Sequence, residues 1–330
     1  MEKPVTQPTR NLALELVRVT ETAALATGRY MGRGDKNAAE KAAVDGMRWM
    51  LDTIQMDGVI VIGEGEKEVS PHLFNGERLG TGADPQVDIA VDPIDGARPL
   101  ALGLGNSISA VALAPRGTLF NPGSITYMNK IVVGPQAKDV IDIEAPVADN
   151  LQKIARAKGE QVNDLTVMIL DRARHQDLIT AVRKCGARIR LIPDGDVAGA
   201  LMTCQAESGI DVLIGIGGSS EGVIAACALR CMGGTMQAKL VAHHPEEIQQ
   251  GRSMGYDFGK ILSIEDLVST DDVFFAATGI TSGDLLRGVD YFANGARTDS
   301  LVMRGATGTI RRIITTHRLS KLNKISSLEH

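Results

Sequence analysis

The sequence predicts an α/β protein, and three observations carry that expectation. Beyond about residue 146, strand-like runs at Thr166–Leu170, Ala187–Ile192, Asp211–Ile216 and Val273–Ala277 alternate with helical patterns near 175–185, 196–205, 221–231 and 245–254. That alternation is the rhythm of βαβ units and of a largely parallel sheet. Apolar residues make up 44% of the 330 residues, enough for a full core. Finally, two apolar runs end in acidic clusters: Val59–Ile62 leads into Gly63-Glu64-Gly65-Glu66, and Val87–Val91 leads into Asp92-Pro93-Ile94-Asp95-Gly96. In open α/β sheets, ligands bind beyond the carboxyl ends of strands.

Residues 1–10 are polar, contain two prolines and read as a mobile N-terminus. Leu12, Leu16, Val19, Ala23 and Ala26 follow helical spacing through the segment 11–31. The Gly-rich break Gly32-Arg33-Gly34-Asp35-Lys36 precedes a second helix, with Ala39, Ala43, Met47, Met50 and Ile54 on one stripe and Gly58 as its expected end. From Val87 to about Pro135 the pattern is β-rich, with short runs at Val87–Val91, Ile108–Leu113 and Lys130–Val133. A boundary near 150–165 divides an N-terminal α+β lobe (11–160), which carries the acidic clusters, from a C-terminal α/β lobe (161–327). The strands near 299–315 can belong to either. Leu328-Glu329-His330 reads as the stub of an expression tag (328–330).

A formal net charge of −5 and 3% aromatic residues argue against duplex or single-stranded nucleic acid as a partner. No apolar run is long enough to span a membrane, and the N-terminus lacks the apolar core of a signal peptide. Cys185, Cys204, Cys227 and Cys231 form no CxxC pair and read as free thiols of a reducing, cytoplasmic compartment.

Carboxylates crowded at strand ends repel one another unless a cation lies among them. Mg²⁺ and Mn²⁺ prefer oxygen ligands of this kind, with substrate phosphate completing the shell. The clusters therefore point to metal-assisted attack on a phosphate ester. Asp35 is an N-cap candidate when read alone; beside Lys36 it offers an acid for an ion and a base for a phosphate oxygen. Arg172-Ala173-Arg174-His175 opens a helix after a strand, where arginine forks pair with phosphate oxygens. Asp194-Gly195-Asp196 supplies either a strand-to-helix turn or acceptors for sugar hydroxyls. Glu221, behind Gly217-Gly218-Ser219-Ser220, either complements its helix dipole or adds a ligand.

This string of motifs resembles the class II fructose-1,6-bisphosphatases of bacteria, within the lithium-sensitive sugar and inositol phosphatase superfamily. The resemblance spans Asn11–Glu21, Gly32–Lys36, Val61–Glu66, Asp92–Gly96, Tyr127–Lys130, Ile192–Ala198, Ala276–Thr281 and His317–Asn323. It implies a layered αβαβα sandwich, Mn²⁺ or Mg²⁺ as cofactor, fructose 1,6-bisphosphate as substrate and a homodimer or homotetramer. By motif match it places metal ligands on Asp35, Glu64, Asp92, Asp95 and Glu221. Asp35, Glu66 and Asp95 are its catalytic candidates. Substrate contacts fall on Lys36, Asp95, Gly96, Tyr127, Arg172, Ala173, Arg174, Asp194, Gly195, Asp196 and Gly218. Three positions depart from the family pattern. Ala97 stands where a threonine hydroxyl helps position the attacking water, Ala173 replaces proline, and Ser219-Ser220 replaces a small residue plus proline. Ala97 leaves two readings open, loss of a catalytic group or another residue holding the water. The alternatives to fructose 1,6-bisphosphate hydrolysis are sedoheptulose 1,7-bisphosphate, an inositol phosphate, or a catalytically silent sugar-phosphate binder.

Overall fold

The structure is a computed structural model, and it describes residues 11–64, 70–242 and 244–322. The expected N-terminal segment 1–10, the tag stub 328–330 and Glu66 lie outside the described residues. The strands are β1 Asp57–Ile62, β2 Arg78–Leu79, β3 Gln86–Asp95, β4 Ile108–Pro115, β5 Tyr127–Val133, β6 Thr166–Leu170, β7 Arg188–Ile192, β8 Val212–Gly218, β9 Thr235–Val241, β10 Leu262–Ser263, β11 Phe274–Gly279, β12 Asp290–Phe292, β13 Gly295–Arg304 and β14 Thr309–His317. The helices that matter here are α1 Ala13–Thr27, α2 Lys36–Leu51, α3 Ala97–Leu102, α4 Val147–Lys158, α5 Gln176–Lys184, α6 Asp196–Met202 and α7 Ser219–Met232.

Two mixed sheets result. One runs β12-β13-β11-β4-β3-β1-β2, with β14 also on β13; the other runs β10-β9-β5-β8-β6-β7. Side-chain alternation along each strand builds the layers. On β3 and β4, Val87, Ile89, Val91, Val111 and Leu113 meet α1 and α2 in one core. The opposite face offers Ala90, Ala110, Ala112 and Ala114 to α6 and α7, which also cover Met128, Val132, Met168 and Leu213 of the second sheet. Ile131, Val133, Val167 and Ile169 then face Leu151, Ile154, Ile179 and Val182 of α4 and α5. The order is α, β, α, β, α, the expected layered sandwich.

Three local expectations change. The second helix ends at Leu51 rather than at Gly58, which lies inside β1. A Cβ on Gly58 would stand 2.5 Å from the Ile89 side chain, so the glycine serves close strand packing and not termination. The second sheet is not largely parallel. β6 pairs in parallel with β7 and β8, but β5 inserts antiparallel between β8 and β9. β9, which follows α7, is a strand the sequence reading did not place, and a strand from earlier in the chain separates it from β8. The run at Val273–Ala277 forms β11 of the first sheet, between β4 and β13, and the C-terminal strands β13 and β14 join that sheet too.

Candidate active site

β1 and β3 are parallel neighbours, so Glu64 and the Asp92–Asp95 cluster emerge at the same end of the first sheet, beside Ser220 and Glu221 at the start of α7. Along β3, a carboxylate at 92 and one at 95 would point to opposite faces of a regular strand. The register against β4 shifts between them: Asp92 lies opposite Ala110, and Asp95 opposite Ile108. This one-residue bulge turns both carboxylates toward the middle helix layer, onto which Ala110 and Ile108 also face.

The cavity formed there measures about 230 Å³. Lys36, Glu40, Glu64, Asp92, Asp95, Gly96, Ala97, Asp194, Ser220 and Glu221 line it. Asp95 accepts from the Ala198 N–H at 2.8 Å and the Val197 N–H at 3.4 Å, and Asp92 accepts from the Ile94 N–H at 3.1 Å. Gly96, at φ +93°, heads α3, whose first residue is Ala97. A Cβ on Gly218 would fall 1.7 Å from a Glu221 carboxylate oxygen, so any side chain there would displace that carboxylate.

Burial and mutual repulsion hold these acids toward their neutral forms. Glu64 is pushed up to about 7, first by burial and then by Glu40 and Glu221, with Lys36 opposing. Glu221 is also pushed up to about 7, by burial and then Asp196, with Lys130 opposing. Asp92 is raised well above its ordinary value by burial, Asp95, Glu221, Glu64 and Asp196. Asp95 is raised by burial and Asp196, against the Ala198 hydrogen bond. Asp194 is raised by burial and Asp196, with Arg172 opposing.

Beside this acid-lined cavity runs a basic rim at the carboxyl ends of β6, β7 and β8. Arg172 donates to the Pro193 carbonyl at 2.6 Å and stands 3.8 Å from Asp194, which also lines the cavity. Arg174 donates twice to the Ile216 carbonyl, at 3.2 and 2.8 Å, and lies 5.1 Å over the Tyr127 ring. Tyr127 is paired in register with Gly218. His175, between the arginines and α5, is buried and bonded through both ring nitrogens.

Of the sequence-selected residues, Lys36, Glu64, Asp92, Asp95, Gly96, Ala97, Asp194 and Glu221 therefore share one cavity. Tyr127, Arg172, Arg174 and Gly218 sit on the adjoining rim, with Ala173 opening the short turn between the arginines. Gly195, at φ +90°, heads α6. Asp196 turns inward to an ion pair with Lys130 at 2.5 Å. Asp35 caps α2, accepting from the Ala38 N–H at 3.0 Å, and is not among the cavity-lining residues.

Two participants escaped sequence reading. Glu40 lies one helical turn past Lys36 and pairs with it at 3.2 Å. Lys130 is 2% exposed and donates to the Gly218 carbonyl at 3.0 Å. Its signal was a lone cation in a strand otherwise buried and apolar at Ile131, Val132 and Val133.

Among the described residues, no three His, Cys, Asp or Glu side chains already converge as a ligand set. The donor chemistry nonetheless fits a hard divalent cation. Asp95 is buried and Glu64, Asp92 and Glu221 are half-buried; all four offer only oxygen and are short of compensating positive charge. The sign of the resulting linkage is definite. A carboxyl whose folded pKa lies above its ordinary 4.5 stabilises fully below about 4.5, and that contribution is lost as pH rises through about 7. In chelator, the urea midpoint is therefore expected to fall between pH 5 and pH 8, and added Mn²⁺ or Mg²⁺ should abolish the fall. A cation-free midpoint that stays flat would contradict this placement of the carboxylates.

Comparison with known proteins gives a family match over residues 10–317, to the family described as "Bacterial fructose-1,6-bisphosphatase, glpX-encoded". The chain is 45% identical over 325 residues to "Fructose-1,6-bisphosphatase 1 class 2" of Escherichia coli (strain K12), covering 94% of this chain and 96% of that protein. Identity and coverage are the same for "Fructose-1,6-bisphosphatase class 2" of Escherichia coli O6:H1 and of Shigella flexneri.

Proposed function

Because this chain belongs to the bacterial fructose-1,6-bisphosphatase family, we propose that it is a phosphoric monoester hydrolase. It removes the 1-phosphate of D-fructose 1,6-bisphosphate to give fructose 6-phosphate and phosphate, a step of gluconeogenesis. The observation that carries this beyond the family match is the pairing of an acid-lined cavity with an arginine rim, joined through Asp194. A bisphosphate needs two anion sites. One phosphate is held with a metal and the other by cations alone.

The family is metal-dependent, and Mn²⁺ or Mg²⁺ is the ion proposed here. Glu64, Asp92, Asp95 and Glu221 would hold it; Asp35, which caps α2 outside the cavity lining, would serve another ion. When bound, the ion neutralises the ester and lowers the pKa of water. The chain's own groups do the rest. Lys36 faces the scissile phosphate, and Asp95 and Gly96 fix the turn beneath it. Asp194 orients the sugar, while Arg172 and Arg174 with Tyr127 bind the distal phosphate. Metal chemistry then belongs mostly to the 11–160 region, with Glu221 added from 161–327, which also supplies most of the substrate grip. A cytoplasmic homodimer or homotetramer completes the proposal. No helix among the described residues is long and apolar enough to cross a membrane.

Phosphate release from fructose 1,6-bisphosphate, sedoheptulose 1,7-bisphosphate and inositol monophosphate, with Mn²⁺, Mg²⁺ or chelator, tests this directly. Preference for either other substrate would overturn the assignment. Tight binding of fructose 1,6-bisphosphate without turnover, even after Ala97→Thr, would favour the silent binder. Arg172→Ala and Arg174→Ala are each expected to raise KM about 10–100-fold with kcat little changed, because a charge-assisted contact present in ground and transition states alike is lost. An unchanged KM with a collapsed kcat would move both arginines into the chemical step.

A further inference from the structure

We propose that His175 is a positioning residue for the distal phosphate of the substrate, a strut that fixes the tip of β8 so that Arg174 is held ready. The ladder between β6 and β8 is short, with Val167 opposite Val212 and Met168 opposite Leu213. Where the two strands part, the His175 ring spans them. Its Nε2 accepts from the Ile216 N–H at 2.8 Å, which leaves the proton on Nδ1, and Nδ1 donates to the Leu170 carbonyl at 2.7 Å. The backbone makes room for the ring at Gly215, whose φ is +131° and where a Cβ would stand 2.9 Å from Nε2.

Ile216 is the pivot of the arrangement. Its N–H is held by the imidazole, and its carbonyl takes both hydrogen bonds from the Arg174 guanidinium. That places Arg174 over Tyr127, whose register partner is Gly218. His175 itself is 2% exposed and outside the cavity lining, so it touches neither metal nor sugar. It acts through Ile216. With the acceptor at Nε2 lost, the tip of β8 keeps its ladder to β5 but loses this tie toward β6, and the carbonyl that anchors the guanidinium is less firmly placed.

The inference rests on the bisphosphatase reading, and its test separates the two. His175→Gln retains an acceptor for the Ile216 N–H, whereas His175→Asn retains the Leu170 donor and loses that acceptor. For His175→Asn, KM for fructose 1,6-bisphosphate is expected to rise about tenfold with kcat within about twofold, the scale of one misplaced charged hydrogen bond. His175→Gln should lie near the parent. In the double variant with Arg174→Ala, His175→Asn should add nothing further, since both remove one interaction. An unchanged KM in His175→Asn, or additive effects in the double variant, overturns the proposal. If the parent hydrolyses no sugar bisphosphate, it is the bisphosphatase reading that fails. The strut is then decided by hydrogen exchange: the Ile216 amide must lose protection in His175→Asn and keep it in His175→Gln, and equal protection in both discards it.

Discussion

Ala97→Thr is expected to raise kcat by about 10²–10³ with KM nearly unchanged, by analogy with restoring one donor to an oxyanion hole. Ala97 is the first residue of α3 and is 7% exposed, on the cavity wall beside Asp95 and Gly96. A helical Cβ leans toward the N-terminus of its helix, so a hydroxyl here would reach back toward the acidic cluster. No carboxylate changes, so metal and sugar-phosphate affinity should persist in both forms. A hydroxyl that orients water contributes chiefly to the transition state, which is why the gain should appear in kcat. Ala97→Ser should recover part of it. A parent chain that already turns over at ordinary enzyme rates, and gains nothing from threonine, would mean that another group holds the water.

Lys130→Met is expected to lower folding stability by about 3–5 kcal/mol, the usual result of leaving one partner of a buried ion pair alone. The Lys130 and Asp196 side chains are 2% and 6% exposed, and they sit beneath a cavity where Asp92, Asp95 and Glu221 already repel Asp196. Lys130 also secures the Gly218 carbonyl, next to the point where Glu221 folds back. Removing both charges, as Lys130→Met with Asp196→Leu, should recover most of the stability but not the activity. Chemical denaturation of the three proteins in chelator is the measurement. A single variant as stable as the parent would show that the pair does not balance the cavity.

How much of this was legible in the sequence depended on whether the signal was local. Val59–Ile62 and Val87–Val91 announced strands by composition, and their acidic ends announced the cavity. Gly32–Lys36 announced a helix start. Membership of a sheet is not a local property. Nothing near Tyr127–Val133 says that it will divide β8 from β9, and nothing near Val273–Ala277 says that it will return to the first sheet. The bulge between Asp92 and Asp95 was equally hidden, because Asp, Pro and Gly also spell an ordinary turn. Glu40 carries no sequence signal that sets it apart from other helix acids; its place on the cavity wall, paired with Lys36, is tertiary. His175 read as a polar residue at a helix start, and only tertiary structure shows both its nitrogens engaged.

The alanine-lined seam between the first sheet and α7 would carry the proposed catalytic footprint well beyond the cavity wall. Ala110, Ala112 and Ala114 of β4 lie in the same core as Ala225, Ala226 and Ala228 of α7. One turn closer to the cavity, a Cβ on Gly222 would sit 2.3 Å from the Met128 sulfur. These small side chains set the height at which α7 rides, and Glu221 is carried on its first turn. An extra methyl group in the seam costs only about 1–3 kcal/mol in stability. Displacing a reactive group by about 1 Å can cost on the order of 10²-fold in rate. Random mutagenesis of this protein would therefore yield a class of variants that fold, bind sugar phosphate and fail to turn over, with lesions at alanines that touch no ligand.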